Sequence, residues 1–163
     1  MATGDRKPSP CAVGINEEQA AAVEHIVRSR DLVTAVRGVA GSGKTTMLDQ
    51  AVRAIADLSG LDVVAFAPSA SATEVLHKQG FKSAATVQKL LTDPELQRLE
   101  QGRILLVDEA GFLSTRDMLQ LLSFAAGNNC RVILSGDSRQ HHSVERGDAL
   151  RILEKSAAVE ARH

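Results

Sequence analysis

An α/β fold, a three-layer sandwich with helices on both faces of a mostly parallel sheet, is predicted by three observations. Four short apolar runs alternate with amphipathic helical stretches along the chain. The interiors of these runs are apolar on both faces, as in strands covered from both sides. The first run leads through "GVAGSGKT", residues 38–45, into a helical stretch, and that turn has the spacing of a phosphate-binding loop.

Each element follows from its own signal. A helix is expected from Ile15 onward, with Asn16 as N-cap and Gln19 at the third helical position, the pattern of a capping box. Ala20, Val23, Ile26 and Val27 give it helical spacing. "LVTAVRG", residues 32–38, is a short β-rich run ending in glycine and reads as a buried strand. From about residue 43 to 58, Met47, Leu48, Ala51, Val52, Ile55 and Leu58 share one helical face, and "SG" stops the helix. "DVVAFAP" is the second strand, closed by Pro68. A helix over 69–79 ends at Gly80, and "TVQKLL" and "PELQRLEQ" read as short helices. "RILLVDEA" is the third strand, residues 114–126 a helix stopped by "GNN", and "RVILSGD" the fourth strand. "GDALRILEKSAAVEA" looks helical. Residues 1–14, "MATGDRKPSPCAVG", have no period and read as a disordered leader or linker. Residues 15–163 then form one domain of ordinary size.

Composition narrows the function classes. Apolar residues make up 44% and charged residues 24% of the 163, as in a soluble globular protein. The net charge of −1 carries no bulk signal for nucleic acid, so any DNA contact is expected to be local. With no apolar run of membrane-spanning length and no secretory leader, the expectation is a cytoplasmic protein without membrane contact. Cys11 and Cys130 have no metal-type spacing and read as reduced thiols without a disulfide partner. The chain has no Tyr, no Trp and four Phe. That excludes a tyrosine nucleophile here and leaves few stacking platforms for single strands.

The phosphate loop carries the first chemistry. Its glycines let the backbone wrap a phosphate, and successive N–H groups point inward at the positive end of the following helix. Gly38, Ala40, Gly41, Ser42, Gly43, Lys44, Thr45 and Thr46 are the candidate nucleotide contacts. Lys44 supplies charge to the β- and γ-phosphates of ATP, and Thr45 a hydroxyl to Mg²⁺. At the end of the third strand, Asp108 suits a grip on the same Mg²⁺, and Glu109 can orient and deprotonate an attacking water. Strand-ending acids also cap following helices, but beside a full phosphate loop the catalytic reading is preferred. An acid directly after the magnesium acid favours nucleotide hydrolysis over transfer to a second substrate.

"NEEQAAAV", "GVAGSGKTT", "APSASATEVL", "ATVQKLL", "LLVDEAGFLS" and "LSGDSRQHHSVERGDALRIL" occur in this order with short gaps. Together, over about residues 15–155, they resemble the first, RecA-like motor lobe of RecD-like superfamily 1 DNA helicases. The resemblance is to the helicase region of conjugative relaxases in particular. It implies an ATP-dependent enzyme acting on single-stranded DNA, partnered by a second motor lobe of the same parent chain. It implies that Gln19 reads the adenine edge, although Gln19 can equally be only a capping residue. Pro68, Ser69 and Ala70, and separately Thr86 and Gln88, resemble contacts to single-stranded DNA; each also fits a polar strand-to-helix connection. Gln140 resembles the residue that senses the γ-phosphate, with Asp137 supporting its loop. The second lobe and its arginine finger do not fit in the remaining residues, and the strand-nicking domain of such relaxases needs a tyrosine. The chain therefore reads as one lobe of a longer protein. Alternatives are a nucleotide-binding scaffold without useful turnover and, with less support, a small-molecule kinase.

The polar groups of "GDSRQHHSV", residues 136–144, could bind a metal, serve as a catalytic base, read a phosphate or simply form a turn. Adjacent His141 and His142 would point apart on a strand and do not chelate one metal easily. With Gln140 at the γ-phosphate, His141 and its neighbours are placed to touch DNA or the second lobe.

Overall fold

The computed structural model describes residues 16–37 and 44–136; of Arg37, Lys44 and Thr45 it describes the backbone element alone. Helix α1 (Glu17–Arg28) starts at the expected capping box. The Asn16 side chain accepts from the Gln19 N–H at 2.8 Å, and the Gln19 side chain accepts from the Asn16 N–H at 2.9 Å. Strand β1 (Val33–Arg37) follows, then α2 (Lys44–Ser59), β2 (Val63–Ala67) and α3 (Ala70–Lys78). Next come β3 (Ala85–Thr86), α4 (Val87–Thr92), α5 (Pro94–Leu99) and β4 (Ile104–Val107). A 3-10 turn (Ala110–Phe112), α6 (Thr115–Gly127) and β5 (Arg131–Gly136) complete the described residues.

The sheet order is β1-β5-β4-β2-β3, and every neighbouring pair is parallel. Strand alternation divides the core into two layers. On one face, Ala22 and Ile26 of α1, Met47, Leu48, Ala51 and Ile55 of α2, and Leu76 of α3 pack with Val36, Ala65, Leu106 and Ile133. On the other, Val87 and Leu90 of α4 and Met118, Leu121 and Ala125 of α6 pack with Phe66, Leu105, Val107 and Leu134. The expected α/β sandwich with a parallel sheet is thus present. Phe66, Leu90, Leu105, Leu121 and Leu134 are fully buried.

One feature differs from the sequence reading. The sheet has a fifth strand: Ala85 and Thr86 pair with Phe66 and Ala67, where the sequence suggested helix from Thr86. Two residues carry no period, so such a strand is visible only through its partner. Thr86 is both the last strand residue and the N-cap of α4, its hydroxyl accepting from the Lys89 N–H at 3.1 Å. Strand order carries no signal in the sequence: β5 lies between the strand of the phosphate loop and the strand of the acids.

Candidate nucleotide and nucleic-acid site

All five strands point the same way, so their carboxyl ends form one rim, where ligands bind in open α/β sheets. Strand β1 ends at Arg37, next to the candidate loop, and α2 begins at Lys44. Gly38, Ala40, Gly41, Ser42 and Gly43 lie outside the described residues, as do Asp137, Gln140, His141 and His142. Lys44 and Thr45 are the first two residues of α2, and Thr46 beside them is exposed. Buried Met47, Leu48, Ala51 and Ile55 hold this helix against the sheet.

Asp108 continues the β4–β2 ladder by one bond, its N–H donating to the Phe66 carbonyl at 2.9 Å. The chain then breaks sharply. Glu109 has φ 52° and ψ 35°, the left-handed region. For a residue with a Cβ this costs about 1 kcal/mol or more, a strain that persists only where neighbours over-determine it. The neighbours are visible. The Phe112 N–H donates to the Glu109 carbonyl at 2.9 Å and the Leu113 N–H to that of Ala110 at 3.1 Å. Ala110, Gly111 and Leu113 are buried, and Ser114 caps α6 directly afterwards. The outcome is a half-buried Asp108 and an exposed Glu109 at the rim.

Strand β5 carries two positions that the sequence reading did not single out. Ser135 is fully buried, and its hydroxyl has no hydrogen-bond partner among the described residues. It pairs with Val36 and lies one step past the Leu134–Val107 pair, level with Asp108. Gly136 pairs with Arg37, and its Cα faces the backbone of the Glu109–Gly111 turn. The "LSGD" stretch hinted at a strand end, but the closeness of another turn has no sequence signal.

The two candidate DNA segments lie side by side. Pro68, Ser69 and Ala70 follow β2, Thr86 ends β3, and Phe66–Ala85 and Ala67–Thr86 are register pairs. Ser69 and Ala70 are exposed, Pro68 and Thr86 half-buried, and Gln88 exposed on α4. The Ser69 hydroxyl accepts from the Ala72 N–H at 3.2 Å, so Ser69 is also the N-cap of α3. Strands are about 4.8 Å apart, so these segments are offset along the rim from β1 by roughly 15 Å or more. Gln19 lies in the first turn of α1, where its side chain accepts from the Asn16 N–H in the capping box.

Comparison with known proteins agrees with this architecture. The family model for the AAA domain matches residues 14–162, and the chain belongs to that family. A conjugal transfer protein TraA of Rhizobium radiobacter is 34% identical over 146 residues, 85% of this chain and 13% of that protein. The ATP-dependent RecD2 DNA helicase of Deinococcus radiodurans is 33% identical over 156 residues, 92% of this chain and 21% of that protein. A solved structure of Pif1 helicases at forked double-stranded DNA superposes with a TM-score of 0.60 at 21% identity, over 87% of this chain and 38% of that one. The resemblance to a RecD-like superfamily 1 motor lobe, near the conjugative relaxases, is thereby borne out. The chain spans 13% of the length of the TraA relative.

Proposed function

We propose that this chain is the ATP-hydrolysing motor lobe of a DNA helicase, within a conjugative relaxase whose second lobe lies elsewhere in the same parent. The observation that carries this reading is the rim: Asp108 and Glu109 leave β4 one strand away from β5, whose other neighbour, β1, runs into the phosphate-loop sequence. In this reading Lys44 neutralises the β- and γ-phosphates of ATP and the loop N–H groups hold their oxygens. Mg²⁺ fits the donors at hand, a half-buried carboxylate on Asp108 and a hydroxyl on Thr45, both hard oxygen ligands. When bound, the metal would offset charge on the phosphate oxygens. Glu109, exposed at the rim, accepts the proton of the attacking water. Gln140 hydrogen-bonds the γ-phosphate and reports its presence to His141 and to whatever lies beyond. Single-stranded DNA runs over the β2–β3 end, touching Pro68, Ser69, Ala70, Thr86 and Gln88 through small side chains and backbone N–H groups. Residues 15–163 form the lobe, and 1–14 serve as linker. No helix among the described residues is long and apolar enough to cross a membrane, and a cytoplasmic site of action suits the reading.

The test is calorimetric binding of Mg·ATP, followed by hydrolysis with and without single-stranded DNA in the full-length protein. Lys44→Ala is expected to weaken binding by about tenfold or more, and Glu109→Gln to spare binding while lowering kcat by about a hundredfold. Gln140→Ala should keep nucleotide affinity and uncouple hydrolysis from DNA. Full Mg·ATP affinity in Lys44→Ala would overturn the site. Absence of turnover even with DNA would favour a nucleotide-binding scaffold instead.

A further inference from the structure

We infer that Gly136 is a positioning residue for hydrolysis: the missing side chain lets the Glu109–Gly111 turn seat against the end of β5, and that seating holds Glu109 in its left-handed conformation. The inference rests on the proposed role of Glu109 as proton acceptor. A Cβ at Gly136 would lie 3.3 Å from the Gly111 nitrogen, 3.4 Å from the Ala110 nitrogen and 3.8 Å from the Glu109 carbonyl carbon. These atoms are backbone and cannot swing aside as a side chain would. The turn is pinned from its other side too. Asp108 is bonded to β2, Phe112 and Leu113 bond back to Glu109 and Ala110, and buried Ala110 and Leu113 belong to the core under α4 and α6.

The strain at Glu109 explains why the contact matters. Left-handed backbone at a glutamate is held against a preference for the right-handed region. Relaxation of φ and ψ there would swing the Cα–Cβ bond and redirect the carboxylate away from the rim. The turn backbone resting on Gly136 opposes that relaxation. Gly136 is also paired with Arg37, the last residue before the phosphate-loop sequence, and it precedes the segment that carries Gln140. One residue without a side chain thus joins the exits of β1, β4 and β5. Displacement of β5's end passes to Glu109 through backbone contact, with no flexible side chain between them.

The experiment is Gly136→Ala, with Gly127→Ala as control, since a Cβ at Gly127 meets nothing within 4 Å. Mg·ATP binding by calorimetry and single-turnover hydrolysis with protein in excess are measured for both. Amide NMR of residues 109–112 is recorded alongside. We expect Gly136→Ala to bind Mg·ATP within about twofold of wild type, to shift those amides, and to hydrolyse about tenfold or more slowly, because small misplacements of a catalytic group cost rate rather than binding. In a Glu109→Gln background the same substitution should cost nothing further, since both act through one group. Multiplicative losses in the double variant, unmoved amides, an unchanged rate, or loss of Mg·ATP binding or cooperative melting would each overturn the positioning role. If Glu109→Gln alone keeps the wild-type rate, the proton-acceptor reading itself fails. If Glu109→Gln abolishes hydrolysis and Gly136→Ala does not, that reading stands and the positioning inference falls.

Discussion

Glu100 sits at the opposite end of the sheet from the rim, and it shows what a charge costs when the fold closes over it. Its side chain is 5% exposed, and its partner is Arg103 at 3.5 Å, which also lies 4.0 Å from Asp62. Burial pushes the Glu100 carboxyl up; Arg103 pulls it down by less, and Asp62 adds to the rise. A raised folded value means that the folded state holds the proton more tightly than the unfolded one. The stabilising contribution is therefore complete below the unfolded value and is lost as pH rises through the folded one. Glu100→Gln should accordingly melt higher than wild type at pH 7, with the advantage vanishing near pH 4. Thermal scans at both pH values check this; an advantage that persists at pH 4 would contradict it. Next to Glu100, Cys130 donates its thiol to the Glu100 carbonyl at 3.2 Å, and burial raises its pKa, leaving it an inert packing residue.

At the scale of elements, caps decide where the rim helices begin. Five described helices open on a side-chain cap: Asn16, Ser69, Thr86, Asp93 and Ser114 each accept from an N–H three residues on. Ser114 bears most directly on the site. Its hydroxyl accepts from the Asp117 N–H at 3.0 Å and donates to the Asp117 carboxylate at 2.8 Å, starting α6 one residue after the Glu109 turn closes. Ser114→Ala should cost about 1 kcal/mol of stability, read as a lower urea midpoint with an unchanged slope. These starts were legible in the sequence because a cap is a local event, a polar residue just ahead of a periodic stretch. The strand β3 was not, because two residues have no periodicity and only Phe66 and Ala67 make them a strand.

For the whole molecule, the division of the rim is the main consequence of the fold. Among the described residues, Lys44 and Thr45 open the helix after β1, Asp108 and Glu109 follow β4, and Pro68, Ser69, Ala70 and Thr86 lie at the ends of β2 and β3. Phosphoryl chemistry of this class gains orders of magnitude in rate from an arginine supplied by a second body. The 163-residue chain alone is therefore expected to bind Mg·ATP, to hydrolyse it slowly, and to unwind no duplex. High DNA-stimulated turnover by this chain in a phosphate-release assay would contradict that expectation.

The sequence by itself determined the class of fold, the limits of most helices and strands, and the identities of the candidate residues. Each of these is written locally, in an apolar period, a cap or a spaced motif such as "GVAGSGKT". Tertiary structure alone decided that β5 enters between β1 and β4, that Pro68–Ala70 lies beside Thr86, and that Gly136 supports the turn of Glu109. These are contacts between residues tens of positions apart, set by which apolar faces are buried together, and no local pattern in the chain encodes them.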